Sequence, residues 1–166
     1  MKKYDFVFLV LVLFSCTSEQ DKFVQAQYNQ VEGNWVIDNF SVPSTAPDTL
    51  KNFFTKGEII FNNCKYNSKQ TAKNGISCYG SAQINGIVLD IVNAYWYDIK
   101  VFTWYFVSVK GQSSPKVNSV IQLFDGNWDI VVNGNKMTAR RIGGDRPYSG
   151  RDLLYKGEVS FTATKK

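Results

Sequence analysis

Few side chains in this sequence could do chemistry. Histidine is absent from all 166 residues. No Ser-His-Asp or Cys-His arrangement can therefore form, and no imidazole can serve as a general base near neutral pH. Carboxylates remain at Asp38, Asp48, Glu58, Asp90, Asp98, Asp125, Asp129, Asp145, Asp152 and Glu158, besides a few near the start. Several fall at turns, and no spacing nominates a pair for acid and base roles across a scissile bond. Asp90 sits inside a very apolar stretch and is the one acid whose burial would matter for catalysis; an outward, solvated aspartate is the simpler expectation. Three cysteines, Cys16, Cys64 and Cys78, complete the reactive set. Cys64 and Cys78 lack the close spacing of zinc ligands. The expectation is a protein that is not an enzyme and holds no metal or other cofactor.

The surroundings of Cys16 suggest its use. Lys2 and Lys3 precede an apolar run from Phe6 to Phe14, which ends at Ser15 and Cys16. A basic start, a short apolar core and a small residue at the cut make up a secretory signal. The run is far shorter than the ~20 residues of a membrane-spanning helix. Leu13-Phe14-Ser15-Cys16 resembles the lipobox of bacterial lipoproteins. That resemblance implies a signal peptide over 1–15, cleavage before Cys16 and acylation of its thiol. An ordinary signal peptide cut near Ser15 is the alternative. Thr17 to Lys22 is polar and lacks turn or strand character, so 16–30 is expected to be a flexible tether to a domain over 31–166. Glu19 and Asp21 resemble, thinly, the acidic stretch that follows the cysteine in surface-exported Bacteroidetes lipoproteins. The expected location is the bacterial cell envelope, lipid-anchored at the outer membrane, facing the periplasm or the outside. With Cys16 on lipid in an oxidising compartment, Cys64 and Cys78 remain as an expected disulfide.

Charge narrows the partners. The chain carries a net charge of +5. Beyond the leader only Arg140-Arg141 and Lys165-Lys166 are adjacent basic pairs. Nucleic-acid binding calls for a clustered basic face and a recognisable motif, and neither is present. The membrane is expected as a partner only through the N-terminal lipid.

The elements that position these residues read as strands. Asn74-Gly75, Asn85-Gly86, Asp125-Gly126 and Asn133-Gly134 are turn dipeptides, and the last three stand between apolar, β-branched runs. Strands are expected over 34–42, 58–66, 76–84, 87–95, 101–110, 117–124, 127–132, 136–142 and 156–164. Asp48 to Thr55 could form a turn or two of helix with Asp48 as N-cap. Gly143 to Gly150 reads as an exposed loop that includes Asp145-Arg146-Pro147-Tyr148. A Cys64–Cys78 bridge between the second and third strands would set Glu58 opposite Ile84. Tightly joined neighbours suit an all-β, up-and-down antiparallel barrel of about eight strands, which closes to remove its edges.

Gly33-Asn34-Trp35 opens the first strand and resembles the Gly-x-Trp signature of lipocalins. The whole pattern resembles the lipocalin-like lipoproteins of Bacteroidetes, over most of residues 16–164. The resemblance implies that Gly33 lets the chain bend into the barrel and that Trp35 plugs one end. It also implies an arginine packed across the tryptophan. Arg141 is the expected one, because period two places it with Met137 and Ala139. Trp35 is structural with or without the resemblance.

The fourth and fifth expected strands are unusually aromatic. Trp96, Phe102, Trp104 and Phe106 are candidates to line a cavity for a small hydrophobic molecule. The same rings could simply fill a small barrel. On the fifth strand both faces are apolar, so its outer face must meet a helix, the chain end, a partner or membrane. The expected function is binding or carrying a small hydrophobic ligand such as a lipid, sterol or tetrapyrrole. The alternative is an accessory or interaction subunit of an envelope or surface glycan complex, with a filled barrel.

Overall fold

The computed structural model describes residues 19–65, 78–96, 102–107, 114–142 and 157–166. Residues 19–21, 92–96 and 102–107 are described by their backbone alone. Cys16 and the segment before it, the turn at Asn74-Gly75 and the 143–150 loop lie outside the described residues.

Alternation of apolar and polar residues builds the strands. In β7 (Lys136–Arg141) every second residue is buried: Met137, Ala139 and Arg141. The same alternation runs through β2 (Gly57–Asn62), with Ile59 and Phe61 inward, and β8 (Ser160–Lys165), with Phe161 and Ala163 inward. A strand turns successive side chains to opposite faces, so each such strand buries one face. The remaining strands are β1 (Gly33–Ser41), β3 (Cys78–Ile84), β4 (Ile87–Trp96), β5 (Phe102–Val107) and β6 (Gly126–Asn133). The eight strands pair antiparallel with their sequence neighbours, and β8 returns to β1 to close the barrel. The expected all-β antiparallel barrel is the fold observed.

Turn chemistry sets the hairpins. Asn85 (φ 52°) and Gly86 (φ 81°) form the two-residue loop between Ile84 and Ile87, with the two positive φ values that such a turn requires. Between β6 and β7 the loop is Gly134-Asn135, one residue later than the Asn133-Gly134 expected, because Asn133 pairs with Lys136.

Two helices depart from the sequence-based expectation, and a third, which was expected, is shorter and differs in its cap. The expected sixth strand, 117–124, is instead helix α3 (Pro115–Phe124). Its buried residues Val117, Val120, Ile121 and Phe124 follow the i, i+3, i+4, i+7 period of a helix face. Ser114 accepts a hydrogen bond from the Val117 N–H at 3.2 Å, and Pro115 occupies the first turn, as a helix start favours. Among the described residues the count is therefore eight strands instead of the nine expected, and Asp125-Gly126 is a helix-to-strand junction instead of a hairpin turn. Within the expected flexible tether over 16–30, residues 19–30 belong instead to helix α1 (Glu19–Val31), which buries Val24, Tyr28 and Val31 in the core, and 16–18 lie outside the described residues. The short helix expected from Asp48 is a single turn, α2 (Asp48–Lys51), with Pro47 at its N-cap and Leu50 buried.

Cys64 and Cys78 are disulfide-bonded, with 4.2 Å between their Cα atoms. The β2–β3 register differs by one from the expected one: Glu58 faces Gln83, and Gly57 faces Ile84. The bridge still forms because β2 ends at Asn62 and Asn63 takes φ 53°, which lets Cys64 leave the ladder's register.

Candidate functional site

Two short segments that share an acidic residue followed by Gly-Asn-Trp close the barrel. Val31-Glu32-Gly33-Asn34-Trp35 leads from α1 into β1, and Phe124-Asp125-Gly126-Asn127-Trp128 leads from α3 into β6. In each, a helix whose last residue is apolar and buried ends two residues before a glycine at positive φ, 137° at Gly33 and 124° at Gly126. Side chains rarely adopt that conformation, so glycine is the residue that lets the chain turn from helix into strand there. Each indole N–H then donates back to the carbonyl four residues earlier. Trp35 Nε1 reaches Val31 O at 2.7 Å, and Trp128 Nε1 reaches Phe124 O at 3.1 Å. Both tryptophans have no exposed surface. β1 and β6 are an odd and an even strand of one antiparallel meander, so they run in opposite directions. Trp35 and Trp128 therefore stand at opposite ends of the barrel.

A cation completes each stopper. Trp35 pairs across the sheet with Lys165, the last residue of β8, and Trp128 pairs with Arg141, the last residue of β7. Lys165 Nζ lies 5.2 Å from the centre of the Trp35 ring and donates to Gln30 O at 3.4 Å. Arg141 donates to Gln122 O at 2.7 Å and to Asp125 O at 2.6 Å. Both cations thus meet carbonyls at a helix C-terminus, where the backbone carries partial negative charge. The expected Arg141 over Trp35 is corrected: Lys165 covers Trp35, and Arg141 belongs to the other end. β8 carries Lys165 to the start of β1, whereas β7 carries Arg141 to the start of β6.

Aromatic packing thickens the Trp128 end. Phe124 stacks on Phe40 with ring centres 4.8 Å apart, and Phe40 meets Phe54 at 4.7 Å. Trp128 meets Phe161 at 5.2 Å. The Trp35 end instead has the Cys64–Cys78 bridge, where β2 finishes and β3 begins.

The aromatic candidates on β4 and β5 can be placed by register. Trp96 pairs with Phe102, and Phe106 pairs with Ile91, which is buried. Phe102 pairs with Trp128, and Trp104 with Gly126. These four positions thus form one sector of the wall, next to the Trp128 stopper. Among the described residues β5 pairs with β6 only through Phe102–Trp104, and α3 occupies the chain just before Gly126. Asp90 is exposed on the outer wall, opposite Ser81, away from the buried face.

Other features bear on chemistry. Among the described residues no group of three or more Cys, Asp or Glu is placed to hold a metal ion. No helix of the described residues is long and apolar enough to cross a membrane. A groove of about 330 Å³ lies on the outer wall where β1 and β2 part, lined by residues that include Val36, Lys56, Glu58 and Gln83.

Sequence reasoning named Gly33, Trp35 and the cysteine pair but missed Lys165, Gly126, Trp128 and α3. The signal was present: Gly-Asn-Trp occurs twice, at 33–35 and 126–128. No family model, curated protein or solved structure matches this chain.

Proposed function

We propose that this protein is a lipid-anchored, non-catalytic barrel of the bacterial envelope, similar to lipocalin-like lipoproteins, that holds a small hydrophobic molecule. The observation that carries the proposal is the register of the aromatic sector. Trp96, Phe102, Trp104 and Phe106 lie on adjoining strands beside the buried Ile91 and Trp128. An aromatic-rich wall in a closed β-barrel suits an apolar ligand held without directional chemistry. The absence of histidine and the exposed Asp90 support a binding role over a catalytic one. Anchoring would come from acylation of Cys16 after removal of residues 1–15.

Native mass spectrometry of protein purified from its own host tests the ligand. A bound apolar molecule at one per barrel is the expected result. Protein that leaves its host without a ligand and ignores fluorescent fatty acids would overturn it. The mass of the same sample tests acylation at Cys16.

A second reading has its own support, the paired stoppers. Trp35 under α1 and Trp128 under α3 occupy both ends, as befits a filled barrel that serves as an accessory or interaction subunit. Stoichiometric partners in pulldowns from envelope extracts would favour it.

A further inference from the structure

The outer groove at the fork of β1 and β2 has features of a built site. The ladder between the two strands ends at Val36–Glu58, and β1 continues paired with β8 alone. At the fork, Ile37 of the inner face joins the groove lining together with Gly57. A Cβ at Gly57 would lie 2.6 Å from Ile84 Cδ1, 2.9 Å from Phe54 Cε2 and 3.1 Å from Ile37 Cδ1. The floor of the groove is therefore apolar and rests on the core.

The rim is polar and held in place. Asn85 Oδ1, from the β3–β4 turn, accepts hydrogen bonds from Thr55 N at 3.0 Å, Thr55 Oγ1 at 2.9 Å and Lys56 N at 3.2 Å. Asn85 Nδ2 donates to Phe53 O, and Asn85 N to Lys56 O at 3.0 Å. One turn residue thus fixes the segment that carries Thr55 and Lys56. The two charges on the rim differ in their partners. Glu58 is paired with Lys166, whose hydrogen bond holds the carboxylate below its usual range despite some desolvation. The Lys56 ammonium makes no ion pair among the described residues.

We infer that this groove binds a small carboxylate with a short apolar tail, its tail on Val36 and Ile37 and its carboxylate at Lys56. The site is on the outer wall and is separate from the interior ligand proposed above. Its volume of about 330 Å³ is at the lower end of ligand sites, which run from ~300 to ~1,000 Å³, so a long-chain lipid does not fit.

The test titrates the purified protein with sodium hexanoate, and separately with hexylammonium chloride, by calorimetry and amide NMR. Hexanoate is expected to saturate and to shift Val36, Gly57 and Gln83, while hexylammonium does not bind there. Lys56→Glu should weaken hexanoate about tenfold and leave the fold intact, since Lys56 is exposed. Val36→Asn should also weaken it, by removing apolar surface under the tail without adding a charge. Three results would overturn the assignment: no saturable binding, unchanged affinity in Lys56→Glu, or shifts confined to inner residues such as Ile91 and Met137. The last would still support the interior site, so the two proposals fail separately.

Discussion

The two ends of the barrel carry the same five-residue solution in different surroundings. At both, a helix runs into an acidic residue, Gly, Asn and a buried Trp, whose N–H returns to the helix end. At both, a cation from the neighbouring strand sits on helix-end carbonyls. The surroundings differ in burial. Arg141 is 7 % exposed and makes two short bonds, whereas Lys165 is only partly buried and makes one long bond and a ring contact. A charge-assisted bond out of water is worth more than one that water screens. The Trp128 end should therefore depend on its cation, and the Trp35 end on α1 packing and the disulfide. A local sequence can repeat its local geometry, and the tertiary neighbours then decide how much each contact stabilises.

The largest effect should come from the tryptophans themselves. Trp35→Ala and Trp128→Ala should each cost about 3–5 kcal/mol in denaturant unfolding, because each leaves a large cavity under a helix. If one costs less than ~1 kcal/mol, that end is not stoppered by its tryptophan and the likeness of the two ends breaks.

Next comes the bridge. Replacing Cys64 and Cys78 together by Ser should cost about 3 kcal/mol through the freer unfolded chain. Hydrogen exchange should then rise at the Trp35 end, around Phe61 and Val31, more than around Leu123. Equal rises at both ends would show that the disulfide does not distinguish them.

The cations sharpen the contrast most directly. Arg141→Met should cost about 2–3 kcal/mol, since it strips two helix-end carbonyls of a buried charged donor. Lys165→Met should cost about 0.5–1 kcal/mol, the range of a partly exposed cation over an aromatic ring. Equal losses in thermal or urea unfolding would refute the ranking.

The smallest effect should be that of acid. Asp38 is held below the usual carboxylate range by the hydroxyl of Thr164, against some desolvation and with further help from Lys136. Glu58 is held low by Lys166. Each is more acidic folded than unfolded, so its contribution is present at neutral pH and is lost as pH falls through the carboxylate range. Both groups are solvent-screened, so Asp38→Asn should move the acid-unfolding midpoint only slightly, towards higher pH. A shift towards lower pH would reverse the assigned sign.

Much of this architecture is legible in residue order. Alternation in Lys136 to Arg141 dictates a strand with one buried face, and Asn85-Gly86 dictates a tight hairpin. The pairing of Cys64 with Cys78 follows from counting once Cys16 is set aside for the expected lipid, and the bridge is present. The misread segment, 117–124, holds β-branched residues that suit a strand, but their spacing suits a helix face. Ser114-Pro115 at its start decides for the helix.

By itself the sequence determined most of the strands, the Asn85-Gly86 turn and many of the residues that must be buried, because periodicity and turn geometry act over a few residues. Only the tertiary structure decided which cation meets which tryptophan. That choice depends on which strand ends beside which strand begins, a consequence of closing the sheet and of the direction in which β7 and β8 run. It also decided that Ile37, Gly57 and Gln83, far apart in the chain, meet at one groove.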